Sequence, residues 1–220
     1  MRPLSLAIAI LIASFASPVL SQDNAQIAER VTKARQENAA KTTNYSWTKR
    51  TEVKVKGEVK STTTELVRFD VDGEMQTTPI SQEKAKGPRG IRGKVAKKKG
   101  GEMKDWMADL GKVLHEYSLP TSGNLLDFLN KAKVEKGDGG IELTAVNVVI
   151  PVDSMTMWLS TDFELTKTEV TTEHDGADVE LTTDHSTTPD GLDYVARTVI
   201  LVPDKNVEMT VENFSYKLEK

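Results

Sequence analysis

Two stretches of the sequence carry residue types that could do chemistry, and each lacks part of the pattern that the chemistry needs. Ser81 and Lys84 have the spacing in which a lysine activates a serine nucleophile, but no K-T-G segment accompanies them. Residues 87–94 look like a phosphate-binding loop, yet their glycines depart from the G-x-x-x-x-G-K spacing. Val95 also stands where a Ser or Thr would bind magnesium. Neither stretch predicts an enzyme.

The residues that bind metals or transfer protons do not form a recognisable set either. His115, His174 and His185 include no H-x-x-x-H pair that would place two ligands on one helix face. Acidic residues are frequent in the second half, but spacing alone neither supports nor excludes a catalytic carboxylate pair. The chain has no cysteine, which excludes disulfides and thiolate chemistry. We therefore expect a protein that is not an enzyme and holds no metal or cofactor.

A basic segment over residues 81–100 is the most strongly charged feature. Interspersed Gly and Pro predict a mobile loop, and no aromatic residue is present in it to stack nucleic-acid bases. We predict that it binds an acidic protein or an anionic membrane surface rather than nucleic acid. The predicted partner-binding residues are Lys84, Lys86, Arg89, Arg92, Lys94, Lys97, Lys98 and Lys99. Residues 22–100 are net positive and 101–220 net negative, which also fits two surfaces that pair within the fold.

The N-terminal residues predict export. Arg2 precedes an apolar run over Leu4–Phe15, which is too short for a membrane-spanning helix of about 20 residues. Small residues and a polar stretch follow, so we predict a signal peptide over residues 1–21, cleaved after Ser21. Because no cysteine can carry a lipid anchor, the remaining chain is expected to be soluble, in a bacterial periplasm or outside the cell.

The elements that must position any site follow from hydrophobic periodicity. The pattern predicts a helix from Asp23 to about Lys41, then three antiparallel strands from Tyr45 onwards. Two amphipathic helices are predicted next, the second beginning near Ser122. From Lys133 the chain is typical of strands and tight turns. We predict one α+β domain over residues 22–220, with an antiparallel sheet whose helices pack on one face.

A change of apolar phase in the final strand predicts a local irregularity. The apolar positions shift by one residue between Val211 and Phe214. A β-bulge at Glu212–Asn213 would explain the shift, and a bulge bends a sheet. The sheet is therefore expected to be curved.

The order of elements resembles the periplasmic lipoprotein-carrier superfamily typified by LolA, LolB and RseB. The resemblance lies in Tyr45-Ser46-Trp47 at the start of the first strand, the helical insertion, and the long meander that ends in Val211-Glu212-Asn213-Phe214. The chain is also similar to uncharacterised exported bacterial proteins, through the segment over residues 194–198. The resemblance implies an incomplete β-barrel of about nine to eleven strands with helices packed on its concave face. That face would hold acyl chains or a lipid-modified partner.

Two functions remain open. The first is a non-enzymatic periplasmic carrier or binding protein for a lipid or other apolar ligand. The second is an envelope protein-interaction or sensing module without bound lipid, whose basic segment docks on an acidic surface. For the carrier, the predicted cavity residues are Trp47, Val53, Leu66, Phe69, Trp106, Met107, Leu110, Leu125, Phe128, Met155, Met157, Val179 and Leu181.

Overall fold

The structure is a computed structural model that describes residues 19–84, 91–118 and 122–219. Three helices and ten strands lie in this part of the chain. They are, in chain order, α1 (Val19–Thr42), β1 (Tyr45–Val55), β2 (Glu58–Phe69), β3 (Met75–Lys84), α2 (Ile91–Glu116), α3 (Ser122–Lys131), β4 (Lys133–Gly137), β5 (Gly140–Val146), β6 (Ser154–Leu159), β7 (Leu165–His174), β8 (Ala177–Thr187), β9 (Asp193–Val202) and β10 (Val207–Leu218). Within the described ranges, no helix is both long enough and apolar enough to cross a bilayer.

All ten strands form one antiparallel sheet in the order β3-β2-β1-β10-β9-β8-β7-β6-β5-β4. Neighbouring strands are consecutive in sequence except β1 and β10, which are the third and fourth strands counted from the β3 edge. In the described residues β3 and β4 are its two edges and do not pair with each other, so the sheet is open. The predicted α+β class and its open, curved antiparallel sheet are confirmed, and the strand number lies in the predicted range.

Apolar side chains form rows across the inner face of the sheet, which is the face that the helices cover. One row crosses seven neighbouring strands through Val53, Met209, Ile200, Leu181, Val170, Met155 and Ala145. Such rows arise because side chains alternate between the two faces of a strand. Leu110 of α2 and Leu129 of α3 are completely buried against this side. The core therefore lies between the helices and one face of the sheet.

The basic segment differs from the predicted loop over residues 81–100. Strand β3 continues to Lys84, and α2 begins at Ile91, so only residues 85–90 lie outside the described ranges. The cause is helix propensity, because Lys, Arg and Ala are good helix formers. The apolar stripe of α2, which includes Met103 and Leu110, packs on the core and supports the helix from its other end.

A β-bulge bends β10 as predicted, but further along the strand. Trp47 of β1 faces two residues, Ser215 and Tyr216, where the pairing register shifts. Ser215 has a φ of +56°, a left-handed backbone that a bulged residue can adopt. The sequence predicts the bulge at Glu212–Asn213. In the structure the bulge lies later in the strand, because there it turns the side chain of Tyr216 inward. The ring of Tyr216 then stacks on that of Trp47, with the centroids 5.4 Å apart.

Ion pairs join the basic first half of the sequence to the acidic second half along the β1–β10 ladder. Lys54 Nζ lies 2.9 Å from Glu208 Oε1, and Arg50 Nη1 lies 3.7 Å from Glu212 Oε2. These side chains are partly exposed, so each pair adds little stability. Part of the charge asymmetry is thus used within the fold itself.

Candidate functional site

A cavity of 440 Å³ lies between the inner face of the sheet and the C-terminal half of α2. Strands β6 to β9 form its floor. Their inward positions are mostly apolar. The apolar side chains around it are those of Leu114, Met155, Met157, Leu165, Leu181, Val195 and Ile200. Its volume lies within the range of small-molecule sites, about 300–1,000 Å³. We call this space the first cavity.

A row of threonines makes one strip of the first cavity polar. Thr168, Thr183 and Thr198 face one another in register on β7, β8 and β9, and all three line the cavity. The hydroxyl oxygens of Thr183 and Thr198 lie 3.5 Å apart. Threonine packs well on a pleated sheet, while its hydroxyl can donate or accept a hydrogen bond. The first cavity therefore suits a ligand with both apolar and polar groups.

A second cavity of 510 Å³ adjoins the first and extends under α1. Arg35, Leu165, His185 and Val195 line both cavities, so the two spaces share a wall. Aromatic rings contribute to the second cavity, namely those of Phe69, Phe163 and Tyr194. Together the two cavities form one candidate site along the inner face of the sheet.

Arg35 and His185 stand at the boundary between the two cavities. Arg35 Nη2 donates a hydrogen bond of 2.8 Å to the carbonyl oxygen of Ser118, which ties α1 to the end of α2. Burial lowers the pKa of His185, and the charge of Arg35 lowers it further, against smaller opposing effects of Asp193 and Asp184. His185 is therefore mainly neutral at pH 7, and the guanidinium of Arg35 is the cationic group at this boundary.

Four aromatic rings form the wall behind the second cavity. The ring of Trp47 lies 6.1 Å from that of Phe69, and the ring of Tyr216 lies 4.2 Å from that of Tyr194. The indole N–H of Trp47 donates to Asn213 Oδ1 at 3.2 Å, so its polar edge has a partner. Burial, and then the neighbouring Tyr194, raise the pKa of the Tyr216 hydroxyl above its usual range. This wall is apolar and well packed.

A buried hydrogen-bond network holds the end of α2 beside the first cavity. Tyr117 lines the cavity, and its hydroxyl donates to Asp153 Oδ2 at 2.7 Å and lies 2.7 Å from Thr172 Oγ1. Tyr117 and Asp153 are each only 2% exposed. The carboxylate of Asp153 also accepts the backbone N–H groups of residues 148–150. The carboxylate oxygens of Asp153 thus accept hydrogen bonds that fix residues 148–150 and the end of α2.

Some of the predicted cavity residues do lie at these cavities. Those that line one of the two cavities are Phe69, Met155, Met157 and Leu181. Trp47 stands in the aromatic wall, and Val53 lies in the inner-face row beside Met209. These residues could be predicted because alternate residues of a strand face the same side of the sheet.

Other predicted cavity residues lie elsewhere. Those that are fully buried in the core are Leu110, Leu125, Phe128 and Val179, and Met107 packs against it. Leu66 lies on the outer face, because it pairs with Thr48 while its neighbour Val67 points inward. The ring of Trp106 packs 5.1 Å from that of His174, and Lys205 Nζ lies 4.7 Å from the Trp106 ring centre.

Sequence reasoning missed several lining residues. These are Arg35, Leu114, Tyr117, Leu165, His185, Tyr194 and Ile200. The period of two that turns Leu181 and Thr183 inward also indicates His185, so this residue could have been found. No local pattern, however, indicates that α1 brings Arg35 beside it.

The residues considered for catalysis are not brought together. Ser81 and Lys84 lie three positions apart on β3, so their side chains project from opposite faces of the strand. Within the described ranges, no group of three His, Asp or Glu side chains is placed to hold a metal ion.

Little of the predicted partner-binding segment has described side chains. Lys84 ends β3, and Lys98 Nζ on α2 lies 3.9 Å from Glu102 Oε1. Lys86 and Arg89 lie outside the described residues. The remaining members are described only as positions in α2, and they are Arg92, Lys94, Lys97 and Lys99.

Comparison with solved structures finds similar folds at low sequence identity. A DUF1329 family protein from Desulfovibrio piger is 10% identical, with a TM-score of 0.41 over 90% of this chain and 92% of that one. A LolA superfamily protein from Nitrosomonas europaea, also 10% identical, has a TM-score of 0.35 over 88% and 94%. An outer membrane lipoprotein-sorting protein domain from Vibrio parahaemolyticus has a TM-score of 0.38 at the same identity and coverage.

Comparisons of sequence give no such likeness. No protein-family model matches the chain, and no curated protein matches it.

Proposed function

We propose that this chain is a non-enzymatic carrier or binding protein for a lipid or other apolar ligand, in a bacterial periplasm or outside the cell. The observation that carries the proposal is the pair of adjoining cavities between the helices and an apolar sheet face. Burial of ligand surface there would supply about 25 cal/mol per Å² of apolar area. The threonine row and Arg35 offer polar contacts for the head of an amphipathic molecule.

Native mass spectrometry of protein purified without detergent tests whether a ligand is carried. The expected result is a bound mass of lipid size that disappears on solvent extraction. Binding of a fluorescent fatty acid to the extracted protein gives an affinity that variants can change. A bare wild-type mass together with no fatty-acid binding would exclude the carrier function.

A matched pair of leucines locates the binding site. Leu181→Asp places an unpaired charge in the first cavity and is expected to weaken fatty-acid binding at least about tenfold. Leu201→Asp is the control, because Leu201 is also partly buried but pairs with Glu180 on the outer face. Circular dichroism must show both variants folded. Equal weakening by the two changes would place the ligand outside the cavity.

Export is part of the same proposal. The secreted protein is expected to begin at Gln22, although α1 begins at Val19 and so runs across the predicted cleavage site. N-terminal sequencing of secreted material checks this, and a chain that still begins at Met1 would contradict it.

A protein-interaction or envelope-sensing module is the second candidate function. Strand β3 favours it, because all ten of its residues are exposed and it lies at an edge of the sheet. An exposed edge strand can pair with an extended segment of another protein. This function takes precedence if the chain carries no lipid and binds no fatty acid.

A further inference from the structure

The hairpin loop between β5 and β6, residues 147–153, presents an apolar surface to solvent. Val146 at its start is 60% exposed, and Val149 and Val152 within it are 42% and 66% exposed. Every residue from Val146 to Val152 is uncharged, and Pro151 is among them. Exposed apolar side chains grouped on one loop commonly mark a surface that contacts something else.

Most backbone N–H groups of this loop are already satisfied within it. Asp153 Oδ1 accepts the N–H of Val148 at 2.5 Å, and Oδ2 accepts those of Val149 and Ile150, each at 2.8 Å. Asn147 N donates to Asp153 O at 3.0 Å, and Asp153 N donates to Ile150 O at 3.4 Å. Pro151 has no N–H to satisfy. Five of the six N–H groups in the loop therefore have acceptors inside the loop.

A lysine from outside the loop satisfies two of its carbonyl groups. Lys131, at the end of α3, donates from Nζ to the carbonyl oxygens of Asn147 at 2.8 Å and Val148 at 3.4 Å. Tyr117 holds Asp153 from the core side through its hydroxyl. The loop is thus fixed in shape before it meets any partner, and ordering it on contact would cost little entropy.

We propose that residues 146–152 insert into the surface of a phospholipid bilayer. A medium without hydrogen-bond donors or acceptors accepts backbone only where its polar groups are satisfied internally, and the N–H groups of this loop largely meet that condition. A protein partner would not require it, because protein surfaces supply donors and acceptors of their own. Lys131 lies at the base of the loop, level with the headgroups in the inserted state. The proposal goes beyond ligand carriage and does not depend on the cavity.

The absence of native cysteine makes a direct test possible. Val149→Cys carries an environment-sensitive fluorophore at the loop, and Val71→Cys carries it on the β2–β3 hairpin, where Val71 is fully exposed. Vesicles of phosphatidylcholine, with and without phosphatidylglycerol, are added to each labelled protein. We expect a blue shift and quenching by brominated acyl chains at position 149 but not at position 71. Similar responses at both positions, or none at 149 with either lipid, would overturn the proposal.

Vesicle flotation with charge substitutions gives an independent measurement. The double variant Val149→Asp, Val152→Asp is expected to reduce the vesicle-bound fraction at least about tenfold, whereas Val71→Asp leaves it unchanged. Binding only to anionic vesicles, with no loss in the double variant, would assign membrane contact to basic residues elsewhere and refute insertion of the loop. Equal flotation of the wild type and the double variant would likewise indicate that the loop contacts a protein rather than lipid. Both outcomes count against the proposal.

Discussion

The hydroxyl of Tyr117 donates a hydrogen bond of 2.7 Å to Asp153 Oδ2, and this contact joins the wall of the first cavity to the loop of residues 147–153. Tyr117 is the last buried residue of the α2 region, and Asp153 is the residue that organises the loop. A displacement of the end of α2 would therefore act on the loop through Asp153. The cavity and the loop thus share one buried hydrogen-bond network.

Removal of the Tyr117 hydroxyl should destabilise the protein. Tyr117→Phe leaves the buried Asp153 carboxylate and the Thr172 hydroxyl without this partner, so we expect the free energy of unfolding to fall by about 1–3 kcal/mol. Urea denaturation measures it. Tyr45→Phe is the control, because the Tyr45 hydroxyl bonds the exposed carboxylate of Asp190 and its loss should cost less. Equal losses of unfolding free energy in the two variants would mean that the buried hydroxyl of Tyr117 contributes no more stability than the hydroxyl of Tyr45.

Stability should depend on pH through Asp153. Burial raises the pKa of Asp153, but hydrogen bonds from Ile150, Tyr117, Val149 and Val148 outweigh it and hold the pKa below its ordinary value of 3.8. A carboxyl group with a lowered folded-state pKa contributes stability that is present above its unfolded pKa. That contribution is lost as the pH falls from about 5 through the folded pKa.

Comparison with Asp153→Asn isolates this contribution from those of other acidic groups. Urea unfolding of wild type and variant at a series of pH values should give free energies that differ most near pH 7 and converge in acid. A difference that stays constant down to pH 3, well below the ordinary pKa of aspartate, would show that the Asp153 pKa is not lowered.

Two neighbouring glycines in the β4–β5 turn should respond differently to alanine. Gly140 has a φ of +131°, and a Cβ there would overlap the carbonyl oxygen of Leu159. Gly140→Ala is therefore expected to cost about 2–4 kcal/mol, from backbone strain and the displaced β6 strand. Gly139 has open space around its Cβ position, and Gly139→Ala should change stability little. Thermal unfolding distinguishes the two, and similar melting temperatures would contradict the described turn.

Gly111 provides a test of the cavity from the side of α2. It lines the first cavity, and a Cβ there meets nothing within 4 Å. Gly111→Ala should stabilise the helix by about 0.5–1 kcal/mol without changing ligand affinity, because alanine is the better helix former. Gly111→Trp should fill the cavity and block fatty-acid binding. Gly101→Trp, at an equally open position of α2 that does not line the cavity, should leave binding intact.

Local patterns were sufficient to predict most elements of the fold. The Lys56–Gly57 and Asp175–Gly176 turns both have positive φ at their two central residues, as two-residue hairpin turns require. The alternation of β6 turns Met155 and Met157 inward, where they line the first cavity. In each of these cases the controlling interaction lies within a few residues of the pattern that reveals it.

Features that depend on distant parts of the chain could not be predicted in this way. Arg35 bonds Ser118 across 83 positions, and Tyr117 meets Thr172 across 55. The bulge at Ser215 is set by Trp47 on another strand. The helical start of α2 was missed for a different reason, because glycine, proline and lysine together are more typical of loops. The candidate site is assembled mainly from such long-range contacts.

The pairing of β1 with β10 determines the order in which this sheet can assemble. Every other ladder links consecutive strands, whereas this one pairs Tyr45 with Leu218, which are 173 positions apart. Closing so large a loop costs more entropy than closing a hairpin, so the hairpins of β1–β3 and the meander of β4–β10 are expected to form first. Until the two halves dock, β1 and β10 each offer a row of unpaired backbone groups. That interval is when a folding chain is most open to pairing with another molecule instead of with itself.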